Sequence, residues 1–99
     1  MAIFAISFRI HEDSTYDARY ESLIEEIKDE ARDGTWDETT SFFIIESRKS
    51  SKTLCDDLYM HSQIIDTKDV LLVINLSAKA YAQRGAQYPN TLDALMQKR

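Results

Sequence analysis

The amino-acid sequence predicts an α+β domain whose elements follow the order strand, helix, strand, strand, helix, strand. Both ends of residues 2–76 have strand-like apolar patterns, and two stretches between them repeat apolar residues at helical spacing. The length of 99 residues suits one domain with a single core. We therefore expect one domain over residues 1–99, with a core at 2–76 and a C-terminal tail at 77–99.

The first strand is predicted over residues 2–10, because its side chains alternate between two sides of an extended chain. One side carries Phe4, Ile6, Phe8 and Ile10, and the other carries Ile3, Ala5, Ser7 and Arg9. The first helix follows from an apolar stripe between Tyr16 and Ala31, with Ser14 and Asp17 as a capping-box-like start and Gly34 beyond its end.

The second half of the core repeats this order. Residues 35–40 and the stretch SFFIIES predict two short strands, and a second helix follows the polar segment RKSSK, with Ser51 as its expected N-cap. The run VLLVINL is short, apolar on both sides and rich in β-branched residues, which is typical of a strand buried on two faces. A short terminal helix is expected around Leu92, Leu95 and Met96.

This order is the ferredoxin-like plan, with a four-stranded antiparallel sheet, two helices on one face and a C-terminal extension. Both faces of that sheet are apolar, although two helices cover only one. The second face exposes apolar side chains that a homodimer or a folded-back tail would cover, and we favour the homodimer. The interface candidates on the strands are Ile3, Ala5 and Val73.

Composition excludes several classes. The chain has 12 basic and 17 acidic side chains and a net charge of -5, which disfavours general polyanion binding. No apolar run is long enough for a membrane span, and the start lacks the basic segment of a signal peptide. We therefore expect a cytoplasmic protein. The single Cys55 and the separated His11 and His61 predict no disulfide, metal or cofactor.

The opening MAIFAISFRIH and the closing DVLLVINLSAKAYAQRG resemble the two ends of small ferredoxin-like proteins related to the second CRISPR-associated protein and to virulence-associated protein D. Within them, Ile6 to His11, and Asp69 to Ser77 ahead of Ala82, Arg84 and Gly85, are similar to SinR-like bacterial proteins of that superfamily. The resemblance covers residues 1–86. It implies a homodimer formed across sheet surfaces and edges, and for some relatives a metal-dependent endoribonuclease or a structural role in spacer acquisition.

The chain departs from the nuclease members at one position that matters. Those members have an Asp at the end of the first strand that holds a divalent cation at the dimer axis, and this chain has Arg9 there. A guanidinium has no lone pair to offer Mg²⁺ or Mn²⁺, so the site is not expected unless Glu12 or Asp13 substitutes for the missing carboxylate. The resemblance therefore does not carry catalysis to this chain.

Other candidate sites compete with simple structural roles. Arg9, His11, Glu12 and Asp13 gather charges where the first strand ends, either to bind phosphate and move protons or as a solvated turn. The remaining candidates are Arg48, Lys49 and Lys52 for a phosphate or RNA backbone, Glu21, Glu25 and Asp29 for a basic protein partner, and Tyr81 and Arg84 for the dimer edge. Ordinary helix-entry, solvated-face and packing roles are the alternatives.

We accordingly expect a homodimeric, non-catalytic binding or regulatory module. Two alternatives stay open. One is a metal-dependent endoribonuclease that uses Glu12 or Asp13, and the other is an acidic inhibitor from a mobile element that mimics nucleic acid.

Overall fold

The computed structural model describes all of residues 1–99. It is an α+β domain with one antiparallel sheet in the strand order β2-β3-β1-β4-β5 and three helices. The elements are β1 (Ala2–Arg9), α1 (Tyr16–Glu30), β2 (Thr35–Trp36), β3 (Phe42–Ser47), α2 (Ser51–His61), β4 (Val70–Asn75), β5 (Tyr81–Arg84) and α3 (Pro89–Met96).

The sheet has five strands, so the expected count of four is wrong. The first six elements keep the predicted order, and the partial strand order β2-β3-β1-β4 is compatible with the ferredoxin-like plan. The additional strand β5 comes from the tail and pairs antiparallel with β4, where Ala82 lies opposite Val73. As predicted, β4 is not an edge strand, because it lies between β1 and β5.

The core lies between the sheet and the first two helices. Its strand side chains are those at alternating positions, and they meet the apolar stripes of α1 and α2. The fully packed set is Phe4, Ile6, Phe8, Ile10, Leu23, Ile27, Phe43, Ile45, Leu54, Cys55, Leu58, Ile64, Leu71 and Val73. We call the surface of the sheet that this core covers the helix face.

Some local boundaries differ from those expected. The N-cap of α2 is Ser50 and not Ser51, because the Ser50 hydroxyl accepts a hydrogen bond from the Thr53 backbone N–H at 3.1 Å while Ser51 is buried. The strand β2 has only two residues, and the chain from Asp37 onward forms a connection that ends at Ser41, whose φ is 55°. The terminal helix occurs where it was expected, as α3.

None of the three helices combines the length with the apolar character that a bilayer span needs.

Candidate functional site

The surface of the sheet opposite the helices is apolar over most of its width, and we call it the open face. Strand register identifies its members, because residues directly opposite in neighbouring strands point to the same side. One row across the sheet joins Trp36, Ile44, Ala5, Ile74 and Tyr81. The next row joins Phe42, Ser7, Leu72 and Gln83, and Ile3 lies opposite Glu46.

The side chains of the open face are accessible to different degrees. Trp36 is 40% exposed and Ile3 is 38% exposed, while Phe42, Ile44, Leu72 and Ile74 are partly exposed. Ala5, by contrast, is buried between its neighbours. An apolar surface that crosses five strands is larger than the single exposed hydrophobic residues that every protein carries.

The C-terminal tail contacts this surface only at its β5 edge. The Tyr81 hydroxyl donates a hydrogen bond to Asp93 Oδ1 at 2.8 Å, which attaches α3 to the sheet at the β5 edge. No residue of α3 is buried. The tail therefore extends the sheet through β5 and leaves the middle of the open face uncovered.

Two of the predicted interface residues, Val73 and Arg84, do not lie on the open face. Val73 is fully buried on the helix face, opposite Ile6 and Ala82, so its selection as an interface residue is wrong. Leu72 and Ile74 are the β4 residues on the open face, because side chains alternate along a strand. Arg84 is also held within the chain, with its guanidinium 4.3 Å from the Tyr59 ring centroid and 3.1 Å from Asp56 Oδ1.

The candidate residues in the turn after β1 differ in their surroundings. Arg9, His11 and Glu12 are exposed. Asp13, however, accepts a hydrogen bond from Arg19 Nη1 at 2.8 Å and one from Lys68 Nζ at 2.9 Å. These hydrogen bonds, that of Arg19 first, hold the pKa of the Asp13 carboxyl far below its ordinary value. Asp13 is therefore an ionised partner for two cations.

A buried ion network fixes this turn to the body of the protein. Arg19 is 2% exposed, and its Nε lies 3.1 Å from Asp69 Oδ2. Asp69 also accepts hydrogen bonds from the backbone N–H groups of His11 and Ile65, each at 2.9 Å. Every buried side-chain nitrogen and oxygen has a hydrogen-bond partner, so the network is complete. It joins the start of α1 to the turn before β4.

Sequence reasoning missed Arg19, although a signal was present. Arg19 lies three residues after Tyr16 and four before Leu23, which places it on the apolar stripe of α1. A charged residue at such a position needs a buried counterion, and Asp69 immediately precedes the strand that the sequence marked as buried on both faces.

The residues around the end of β1 do not fit the divalent metal that the resemblance implies for nuclease relatives. Arg9 is a cation, Asp13 is already bound by two cations, and Glu12 is exposed and isolated. No group of three His, Cys, Asp or Glu side chains in residues 1–99 is arranged to hold a metal ion.

The cations of the RKSSK loop are mostly paired within the chain. Lys49 binds both Glu30 and Asp57, with 2.6 Å between Lys49 Nζ and Asp57 Oδ2. Lys52 Nζ lies 2.7 Å from Asp56 Oδ2. Arg48 is exposed and forms no ion pair, so the loop offers one uncommitted cation in place of three.

The outer surface of α1 carries the acidic stripe that the sequence predicts. Glu21, Glu25 and Asp29 are all exposed and form no ion pair. They point away from the sheet, and they remain accessible whatever covers the open face.

Cys55 belongs to the core. Burial raises the pKa of its thiol to about 12, so the reactive thiolate form is suppressed.

Comparisons with family models, with curated proteins and with solved structures find no match to this chain.

Proposed function

We propose that this chain is a homodimeric binding module whose open face is the surface on which two copies pair. The observation that supports this is the apolar row across all five strands, which α1 and α2 do not cover and which α3 contacts at Tyr81, at one end of the row. Such a surface is costly to leave in water and is typical of an interaction site.

The size of the open face is that of a weak or transient dimer interface. The five strands contain 26 residues in total, and at about 3.3 Å per residue and about 4.8 Å per strand they give a face of roughly 400 Å². Two such faces bury roughly 800 Å² in total, so we expect a pair that dissociates on dilution. A second copy is the natural occupant, because most soluble oligomers are homodimers with a two-fold axis.

We further propose that the module is non-catalytic and belongs with the ferredoxin-like proteins that its two ends resemble. The element order and the order of four of the strands support this kinship. The replacement of the metal-binding Asp by Arg9, and the use of Asp13 as a counterion for Arg19 and Lys68, support a binding role. The exposed carboxylates of α1 would then face a basic partner protein.

Sedimentation equilibrium on the purified chain tests the pairing. We expect a mass of twice the 11.5 kDa of one chain, and Ile74→Asp on the open face should shift the protein to the monomer because it places a charge in the apolar row. Ile65→Asp is the control, since Ile65 is an exposed isoleucine (39%) that lies outside the sheet. A wild-type monomer at high concentration would contradict the proposal.

The non-catalytic role has its own test. Incubation with structured RNA and Mn²⁺ should give no cleavage. Cleavage that EDTA abolishes and that Glu12→Ala removes would favour the endoribonuclease instead. Glu12 is the cleaner position for this test, because Asp13 also supports the fold.

A second candidate function is favoured by the exposed, unpaired carboxylates Glu21, Glu25 and Asp29. An acidic inhibitor that mimics nucleic acid would bind a basic nuclease through them. Replacing all three by Lys should abolish that binding and leave the dimer intact, and binding that persists would remove this candidate.

A further inference from the structure

We propose that the two copies pair with β1 running in opposite directions, so that Arg9 of each copy enters an acidic, aromatic groove on the open face of the other. This inference rests on the proposed pairing of open faces and specifies its orientation.

The groove lies at the β2 side of the open face, near the start of β1. It has a volume of about 450 Å³, and its lining includes Ile3, Trp36, Ile44, Asp33 and Glu46. Asp33 and Glu46 form no ion pair within the chain. Two free carboxylates beside an accessible indole are the chemistry that receives a guanidinium, through charge-assisted hydrogen bonds and a cation–π contact.

Arg9 supplies such a guanidinium on the same face. It follows Ile3, Ala5 and Ser7 at alternating positions of β1, so its side chain leaves the sheet on the open side. It is exposed and has no acidic partner. Six residues separate Arg9 from Ile3, a distance of about 20 Å along the strand. One copy therefore cannot satisfy its own Arg9 from its own groove.

A two-fold axis in the plane between the sheets, perpendicular to the strands, brings Arg9 of one copy to the groove of the other. It reverses the strand direction and leaves the sideways order of the strands unchanged. Arg9 of one copy then lies over Ile3 of the other, one strand away from Glu46. Because the operation is symmetric, the contact forms twice. Trp36 lies at the groove and is covered by the same contact.

The other aligned arrangement has its axis parallel to the strands. It stacks β1 on β1 in the same direction and places the two Arg9 guanidinium groups against each other, as would an axis at the end of β1, where the resemblance places the metal-binding Asp of the nuclease members. Two like charges within an apolar interface repel strongly. The charge of Arg9 therefore favours the reversed arrangement.

Charge reversal tests the orientation. In the reversed dimer, Arg9→Glu faces Glu46 of the partner twice, and Glu46→Arg faces Arg9 twice. Each single variant should weaken the dimer at least tenfold, since attraction becomes repulsion at two sites. The double variant, with both changes in one chain, should return the dissociation constant to within about threefold of wild type.

Added salt should weaken the wild-type dimer. The matched controls are Lys28→Glu and Glu25→Arg on the exposed side of α1, which should not change the dissociation constant.

The outcomes separate this inference from the proposed function. If the wild type forms a dimer and the single variants leave its dissociation constant unchanged, or if Arg9→Ala tightens it, the orientation is wrong and the pairing stands. If the wild type is a monomer at every concentration, both fail. Circular dichroism on each variant confirms that a loss of dimer is not a loss of fold.

Discussion

The two faces of the sheet are built from the same strands and differ mainly in what covers them. On β4, Leu71 and Val73 point to the helices and are fully buried, while Leu72 and Ile74 point to the open face and are only partly buried. The same difference in burial occurs on the other two central strands. On β1, Phe4 is buried and Ile3 is exposed, and on β3, Phe43 is buried and Ile44 is partly exposed. Their apolar character is similar, but only one set contributes a packed core.

The fold of one copy therefore depends less on the apolar residues of the open face than on those of the helix face. A sheet with one covered face is usually polar on the other, as in most antiparallel sheets. On the proposed pairing, Phe42, Ile44, Leu72 and Ile74 on the uncovered side serve association. Substitutions on the two faces should therefore affect different quantities, namely stability on the helix face and association on the open face.

The largest expected difference is between two leucines that are neighbours in sequence. Leu71→Ala removes a fully buried side chain and should lower the free energy of unfolding by about 3–4 kcal/mol. Leu72→Ala removes a partly exposed one and should lower it by about 1 kcal/mol, because little cavity is left. Urea unfolding of dilute protein measures both. Equal losses at the two positions would mean that the faces are not different in the single copy.

The buried ion network provides a second comparison, between two carboxylates on the same guanidinium. Asp69→Asn leaves the buried Arg19 without its enclosed counterion and should cost about 3 kcal/mol of unfolding free energy. Asp13→Asn removes the more accessible partner and should cost less. Thermal melting of the two variants in parallel decides the order, and a larger loss for Asp13→Asn would place the main counterion on the surface.

Acid should lower the stability of the folded protein over a defined pH range. The pKa of Asp13 is lowered in the folded protein by its hydrogen bonds, that with Arg19 first, and hydrogen bonds with Lys52 and then Arg84 lower the pKa of Asp56. A lowered pKa contributes stability above the unfolded value, about 3.9, and this stability is lost as the pH falls below it. The urea midpoint should therefore hold from pH 7 to about pH 5 and then decline.

A matched pair of variants identifies the source of that acid effect. Asp13→Asn should make the decline shallower, whereas Glu12→Gln, which removes a neighbouring exposed carboxylate without an ion pair, should leave it unchanged. An identical decline in wild type and Asp13→Asn would assign the acid sensitivity to other groups.

Much of the fold could be predicted from the sequence, because the alternation of apolar residues along β1 and the apolar stripe of α1 follow from which side chains are buried. The strand β5 could not, since Tyr81–Arg84 carries small and polar residues that are only half-buried at the sheet edge. The choice of Val73 for the interface failed for a simple reason. Both sides of β4 are apolar, so the pattern alone does not say which side meets the helices.

The candidate site was predicted only in outline. The sequence indicates a second apolar face, but it does not show that Glu46 and Asp33 share a groove with Trp36, because three separate elements bring them together. Likewise, the pairing of Lys49 with Glu30 on α1 and Asp57 on α2 depends on how these helices lie in the fold, whereas the pair of Lys52 with Asp56 follows from their i,i+4 spacing within α2.

Trp36 is the single tryptophan of the chain and lies on the open face, so its fluorescence reports on that face alone. Acrylamide quenching over a dilution series, at concentrations where the mass changes from dimer to monomer, tests the pairing most directly. If the open faces pair, the quenching constant of Trp36 should rise on dilution, in step with dissociation. A quenching constant that is the same in dimer and monomer would show that the copies associate through another surface. A mass that stays that of one chain at every concentration would show that the copies do not associate.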